Sequence, residues 1–121
     1  MITFGSLFAG VGGFDLGFER AGLTCKWQVE IDDYATRVLE KHWPDVPKGR
    51  DVRHFPPGYA RDWAVDVICG GPPCQRTSVA AAIQGKRTGE TLWPEMLRVV
   101  RAIEPRCVVV EQPGGNKAWE E

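Results

Sequence analysis

The chain has 121 residues, of which 43% are hydrophobic and 26% charged, a balance that suits one globular domain and excludes a disordered tail or a fibre. Lys and Arg total 15 and Asp and Glu total 16, for a net charge of -1. A strongly basic nucleic-acid clamp is therefore excluded, although a local basic patch is not.

No apolar run approaches the roughly 20 residues needed to cross a bilayer, so no membrane partner is expected. Met1 to Phe8 has no basic residue ahead of its apolar stretch and reads as a first strand, not a signal peptide. Ile2 to Phe8 is short and apolar and runs into glycines, as a buried strand does. Gly13 to Arg20 places Phe14, Gly17 and Phe18 on one helical face, with Ala21-Gly22 as the stop. Leu23 to Ile31 alternates like a second strand. Asp32 or Asp33 can cap a helix that runs to about Trp43 and ends at Pro44. Asp51-Val52 is a short third strand element in a polar, proline-rich stretch.

Ala64 to Cys69 reads as a fourth strand, stopped by Gly70-Gly71-Pro72-Pro73. Val79 to Thr91 is polar, with Gly85 and Gly89, and reads as a mobile loop. Leu92 to Ile103 repeats apolar residues at helical spacing. Cys107 to Val110 is a fifth strand, and Gly114-Gly115-Asn116 closes the pattern. Alternating strands and helices predict an α/β fold with a mostly parallel sheet and helices on both faces. No repeat or linker divides the chain, so residues 1–121 are expected to form one domain.

In such a sheet, ligands bind at the carboxyl ends of the strands. Those ends carry Phe8-Ala9-Gly10-Val11-Gly12-Gly13, then Glu30, Asp51, Gly71-Pro72-Pro73-Cys74-Gln75, and Glu111-Gln112-Pro113. Every unusual glycine-rich or polar feature falls on one rim. Glycines let the backbone turn tightly and approach a ligand. Glu30, at the next strand end, can accept both hydrogen bonds of a ribose diol. The loop reads G-x-G-G and departs from the dinucleotide fingerprint.

The four cysteines are at 25, 69, 74 and 107. None is spaced C-x-x-C, and only His42 and His54 could assist them, so no metal site is expected. Reduced thiols in the cytoplasm are expected instead. Cys69 and Cys107 read as packed within apolar faces. Cys74 follows two prolines at the rim, near Arg76, and reads as a nucleophile. Glu111, beside it, reads as its acid partner. Arg76, Lys86 and Arg87, with Thr77, Ser78 and Gln84, suit a polyanion-contacting lid.

F-A-G-V-G-G at Phe8 to Gly13, Glu30 with Asp32, Asp51-Val52, G-G-P-P-C-Q at Gly70 to Gln75, and Val110-Glu111 together resemble the first motifs of the cytosine-5 DNA methyltransferases. The resemblance runs from Ile2 to about Asn116. It implies a Rossmann-like S-adenosylmethionine-dependent fold, cut to about five strands, and S-adenosylmethionine as cofactor. Phe8 and Ile31 would contact the adenine, and Asp51, beside Val52, its amino group. Ala9, Gly10, Gly12 and Gly13 would line the methionine end. Glu30 would hold the ribose, and Pro73 and Leu92 would complete the pocket. DNA would be the partner, with its target cytosine flipped out. Cys74 would attack C6 of that base and Glu111 would contact N3. Gln75, Arg76, Ser78, Lys86 and Arg87 would contact the DNA.

Arg76-Thr77-Ser78 and Gln112-Pro113 depart from the residues usual in the family at those places, as in a phage-like or otherwise divergent branch. The resemblance covers only the first part of the family's catalytic domain, without the target-recognition region. The fifth strand is then an apolar edge, expected to pair with a companion segment or with a second copy. Two other classes remain open at this point. One is a non-catalytic cofactor-binding or regulatory module. The other is half of a nucleotide-binding oxidoreductase, against which the P-P-C-Q segment speaks.

Overall fold

A computed structural model describes residues 1–72 and 92–111. In chain order they form β1 (Thr3–Leu7), α1 (Gly13–Arg20), β2 (Thr24–Val29), α2 (Asp33–His42), β3 (Lys48–Gly49), two 3-10 turns (Val52–His54 and Ala60–Trp63), β4 (Val67–Gly70), α3 (Trp93–Ile103) and β5 (Cys107–Val110). One five-stranded sheet results, in the order β3-β2-β1-β4-β5. Every pairing is parallel. The winding proceeds outward from β1 on one side and through β4 on the other. The switch point of the sheet therefore lies between β1 and β4, where Leu7 pairs with Gly70.

Alternation along the strands sends successive side chains to opposite faces. Leu7, Trp27, Val29 and Ile68 form one core with Val52, Phe55 and the Met96, Val99 and Ile103 stripe of α3. Phe4, Cys25 and Cys69 form the other with Leu39 and Trp43, against which Phe14 and Phe18 of α1 pack. Helices thus cover both faces. Trp27 anchors the first core. Its Nε1 donates to Trp63 O at 2.9 Å. Its ring tilts against Phe55 at 4.6 Å between centroids. It lies across Gly5, where a Cβ would come within 2.2 Å of the indole. Truncating a buried tryptophan of this kind typically costs about 3–5 kcal/mol.

The helices stop and start for local reasons. Asp32 caps α2, its carboxylate accepting from Ala35 N at 2.8 Å. Lys48 Nζ donates to the carbonyls of Trp43 and Val46, both at 2.6 Å, and so satisfies the chain just beyond that helix. Pro94 opens α3, where its missing N–H costs nothing.

Three expectations are corrected. The third strand is Lys48–Gly49, and Asp51 instead caps the 3-10 turn that follows it. The fourth strand begins at Val67 and not at Ala64, because the Asp66 side chain, not a strand partner, takes the N–H of Thr3 at 2.9 Å. Cys107 is exposed, because β5 is the edge strand and Cys107 is its first residue. The expected loop at Val79 to Thr91 and the closing glycines Gly114 and Gly115 lie outside the described residues.

Candidate cofactor-binding and active site

The loop after β1 is tied to its neighbours by backbone bonds. Ala9 N donates to Val29 O at 3.1 Å and Gly12 N to Ala9 O at 3.1 Å. Gly12 has φ +94° and caps α1. A Cβ there would fall 2.5 Å from the Trp43 ring, so a bare backbone lies on that indole. Gly13 then opens the helix, whose N-terminal N–H groups face back toward the loop.

Glu30 stands one residue beyond β2. Its N–H donates to Gly49 O at 3.0 Å. Its carboxylate accepts from Gly10 N at 2.7 Å and from Asp32 N at 2.9 Å. A carboxylate offers about four acceptor sites, so lone pairs remain for two more donors. Arg50 secures the same turn, donating to the carbonyls of Glu30 at 3.1 Å and Ile31 at 2.9 Å and pairing with Asp33. Ile31 is 62% exposed at the edge of this arrangement, an apolar surface with an open side.

Asp51 accepts from the backbone N–H of Arg53 at 3.0 Å and from its guanidinium at 2.7 Å. Those bonds hold the Asp51 carboxyl down to about 2, so it is an anion throughout the neutral range. Phe8, Val52 and Leu92 all join the first apolar core. Phe8 does so from a left-handed backbone conformation, φ +53°.

Glu111 follows β5, and its N–H donates to Gly70 O at 3.0 Å. Its side chain crosses the neighbouring strand end. A Cβ at Gly71 would come within 2.9 Å of Glu111 Oε2 and 3.1 Å of its carbonyl oxygen, so a side chain at 71 would push the carboxylate aside. The carboxylate thereby lies at the start of the segment that carries Cys74. Cys74 itself, with Pro73, Gln75, Arg76, Ser78, Lys86 and Arg87, lies outside the described residues. Of the other thiols, Cys25 and Cys69 are buried, and burial pushes both up to about 12. Neither can act as a thiolate near neutral pH.

Sequence reasoning passed over Arg50 and a buried cluster of Ser6, Asp15 and Gln28. Ser6 Oγ donates to Asp15 Oδ1 at 3.0 Å, and Gln28 Nε2 donates to Oδ2 at 2.7 Å. Asp15 follows Phe14 in an amphipathic helix and looks solvent-facing by composition. Two polar residues on otherwise apolar central strands were the available signal.

A parallel sheet with a glycine loop at its switch point and a carboxylate at the next strand end is the α/β arrangement on which nucleoside-containing ligands are commonly bound. Comparison with known proteins narrows the class. Residues 2–113 match the model of the C-5 cytosine-specific DNA methylases, and the chain belongs to that family. It is 37% identical to the Type II methyltransferase M.AquIA of Picosynechococcus, over 94% of this chain and 49% of that one. It is 34% identical to M.HhaI of Haemophilus parahaemolyticus, over 91% of this chain and 33% of that one. A DNA modification methyltransferase encoded within an Escherichia coli prophage superposes with a TM-score of 0.76 at 30% identity, over 95% of this chain and 33% of that chain. Spodoptera frugiperda DNMT2 shares the fold, with a TM-score of 0.70 at 20% identity over 95% of this chain and 36% of that chain. The chain thus spans from a third to a half of the length of these relatives. Among the described residues, no helix is long and apolar enough to cross a membrane.

Proposed function

We propose that residues 1–121 form a cofactor-binding and catalytic domain of a DNA cytosine-5 methyltransferase. The observation that carries this reading is the Glu30 carboxylate. It is already held by the Gly10 and Asp32 amides, yet has acceptor capacity left for a ribose diol. In this reading S-adenosylmethionine, when bound, supplies an electrophilic methyl group on a sulfonium. Glu30 accepts from its ribose, and Asp51 from its adenine amino group. Phe8, Ile31, Val52, Pro73 and Leu92 give the adenine apolar walls. Ala9, Gly10, Gly12 and Gly13 bring bare backbone to the methionine end.

The chain's other task is to make an inert carbon nucleophilic. The Cys74 thiolate bonds to C6 of a cytosine turned out of the duplex. The C5=C6 π pair shifts into C4–C5, and the C4=N3 pair takes up a proton at N3 from Glu111. Carbon 5 thereby becomes an enamine carbon able to accept the methyl group. Once it carries the methyl, loss of the C5 proton re-forms C5=C6, expels Cys74 as thiolate and returns the N3 proton to Glu111. Gln75, Arg76, Ser78, Lys86 and Arg87 contact the DNA around that base. A companion segment that carries a sequence reader, or a second copy of the chain, pairs along the edge of β5. The setting is the cytoplasm of a bacterium or of a phage-infected cell.

Two titrations test this. Calorimetry with S-adenosylhomocysteine should give binding that Glu30→Ala weakens by about tenfold or more, since two of the loop's ties and the ribose acceptor go together. A folded wild-type chain that binds nothing would sink the cofactor assignment. Duplex DNA carrying 5-fluorocytosine, offered with cofactor and the companion segment, should be trapped covalently by wild type and not by Cys74→Ser. Trapping by the mutant would remove Cys74 from the reaction.

A further inference from the structure

Ser6, Asp15 and Gln28 are each at most 1% exposed and lie on the face of the sheet covered by α1 and α2. Asp15 accepts from both of the others. No cation pairs with it among the described residues. Its other titratable neighbours are Glu19 of α1, Cys25 of β2, Cys69 of β4 and Lys48 of β3. The two thiols are neutral, and Lys48 is committed to the carbonyls of Trp43 and Val46. Burial outweighs the hydrogen bonds from Gln28 and Ser6, which favour the anion, and raises the Asp15 carboxyl above the usual range.

A second observation bears on the same cluster. Gln28 Oε1 is buried and has no hydrogen-bond partner among the described residues. Its amide is oriented so that the nitrogen faces Asp15. A buried unsatisfied acceptor costs about 1–3 kcal/mol. That orientation makes sense beside an ionised carboxylate, which can only accept. A protonated Asp15 reverses the preference, because its O–H can donate to Oε1 once the amide turns over. The cluster thus has two hydrogen-bonded arrangements that differ by one proton.

The location gives this consequence. Ser6 lies two residues before Phe8, Asp15 two after Gly13, and Gln28 two before Glu30. We propose that Asp15 is a positioning residue. With Ser6 and Gln28 it ties together the three segments that carry the cofactor-contacting residues, and one proton on it sets which way the buried Gln28 amide points. This rests on the cofactor reading only for its functional consequence, since the tie itself exists without a ligand.

The sign of the pH effect follows. A carboxyl raised by burial favours the closed state most when protonated. Its contribution is complete below the ordinary carboxylate range and is lost as pH rises through the raised value. The loop should open more readily with rising pH. Asn at this position cannot titrate, yet it accepts from Ser6 and donates to Oε1 of a turned Gln28.

Amide hydrogen exchange on the ligand-free chain tests this, read by NMR from about pH 5 to about pH 8 and corrected for intrinsic rates. Protection of the Gly12 and Leu16 amides should fall with pH in wild type and stay level in Asp15→Asn. Asp15→Leu should cost those amides about tenfold or more in protection while β4 and β5 keep theirs. The Gln28 side-chain amide signals should titrate in wild type and not in Asp15→Asn. Wild-type profiles that match Asp15→Asn would overturn the proton-dependent tie. Protection lost equally throughout the sheet in Asp15→Leu would reduce Asp15 to a general structural residue. Cofactor titration of the same samples is read separately, so a failed cofactor assignment is not mistaken for a failed tie.

Discussion

Gly12→Ala and Gly10→Ala form a matched pair that tests how the cofactor loop is held. Both glycines have positive φ, +94° and +61°. A Cβ at Gly10 meets nothing within 4 Å, whereas one at Gly12 meets Trp43 at 2.5 and 2.7 Å and Leu39 at 3.2 Å. Left-handed backbone costs an alanine about 1–2 kcal/mol, partly offset by about 0.4–1 kcal/mol from the stiffer unfolded chain. Gly10→Ala should therefore lose about 0.5–1 kcal/mol. Gly12→Ala adds overpacking against two buried side chains, about 1–3 kcal/mol more, for about 2–4 in all. Urea unfolding gives both values directly, and S-adenosylhomocysteine titration shows whether the loop has moved. Trp43→Leu supplies the control, because removing the indole should recover about 1 kcal/mol or more of the Gly12→Ala loss in a double-mutant cycle. Equal losses at Gly10 and Gly12, or no coupling to Trp43, would refute the packing of this loop on the indole.

Thiol labelling should separate the cysteines by burial. In the native chain Cys107 should react at a rate near that of a free thiol, while Cys25 and Cys69, both pushed up to about 12, should react only on unfolding. Fast native labelling of Cys69 in a Cys107→Ser, Cys74→Ser background would contradict the second core. At the edge strand, Val108 is 39% exposed, so Val108→Lys should leave the monomer folded while blocking strand addition. Light scattering should show association in wild type and loss of it in the variant. An unchanged particle size would rule out self-pairing along β5.

Much of the fold was legible because apolar periodicity and stop residues agreed. Gly13–Arg20 and Cys107–Val110 match their predicted limits, and Asp32 caps α2 as one of two candidates did. The misses have physical causes. β3 is two residues long, too short to carry a period, so Asp51 drew the assignment that belonged to Lys48–Gly49. Periodicity cannot distinguish a central strand from an edge one, so Cys107 was read as buried. α1 inverts the usual pattern. Asp15 is fully buried while its neighbour Leu16 is 45% exposed. Composition places those two residues the wrong way round, and only the partners on β1 and β2 explain it. The placing of Glu30, Asp51 and Glu111 on one rim was legible because strand ends in a parallel sheet lie together. Arg50 was not, since an arginine that clamps two carbonyls looks like any surface arginine.

These features divide the rim into two kinds of construction. On the β1–β2 side, the groups proposed to meet a cofactor are bonded to one another without it. Gly10 holds Glu30, Arg50 holds the backbone on either side of the turn, and Trp43 supports Gly12. Ordering costs on that side are largely met within the fold, which favours tight binding of a rigid nucleoside. On the β4–β5 side, Glu111 is held among the described residues through its backbone and its approach to Gly71, and it is exposed. In the proposed reading the Glu111 side of the site therefore depends on the base that would cover it, whereas the β1–β2 side is built without a ligand. Cofactor affinity should accordingly survive in this chain under conditions where covalent capture of cytosine requires DNA and a companion segment together.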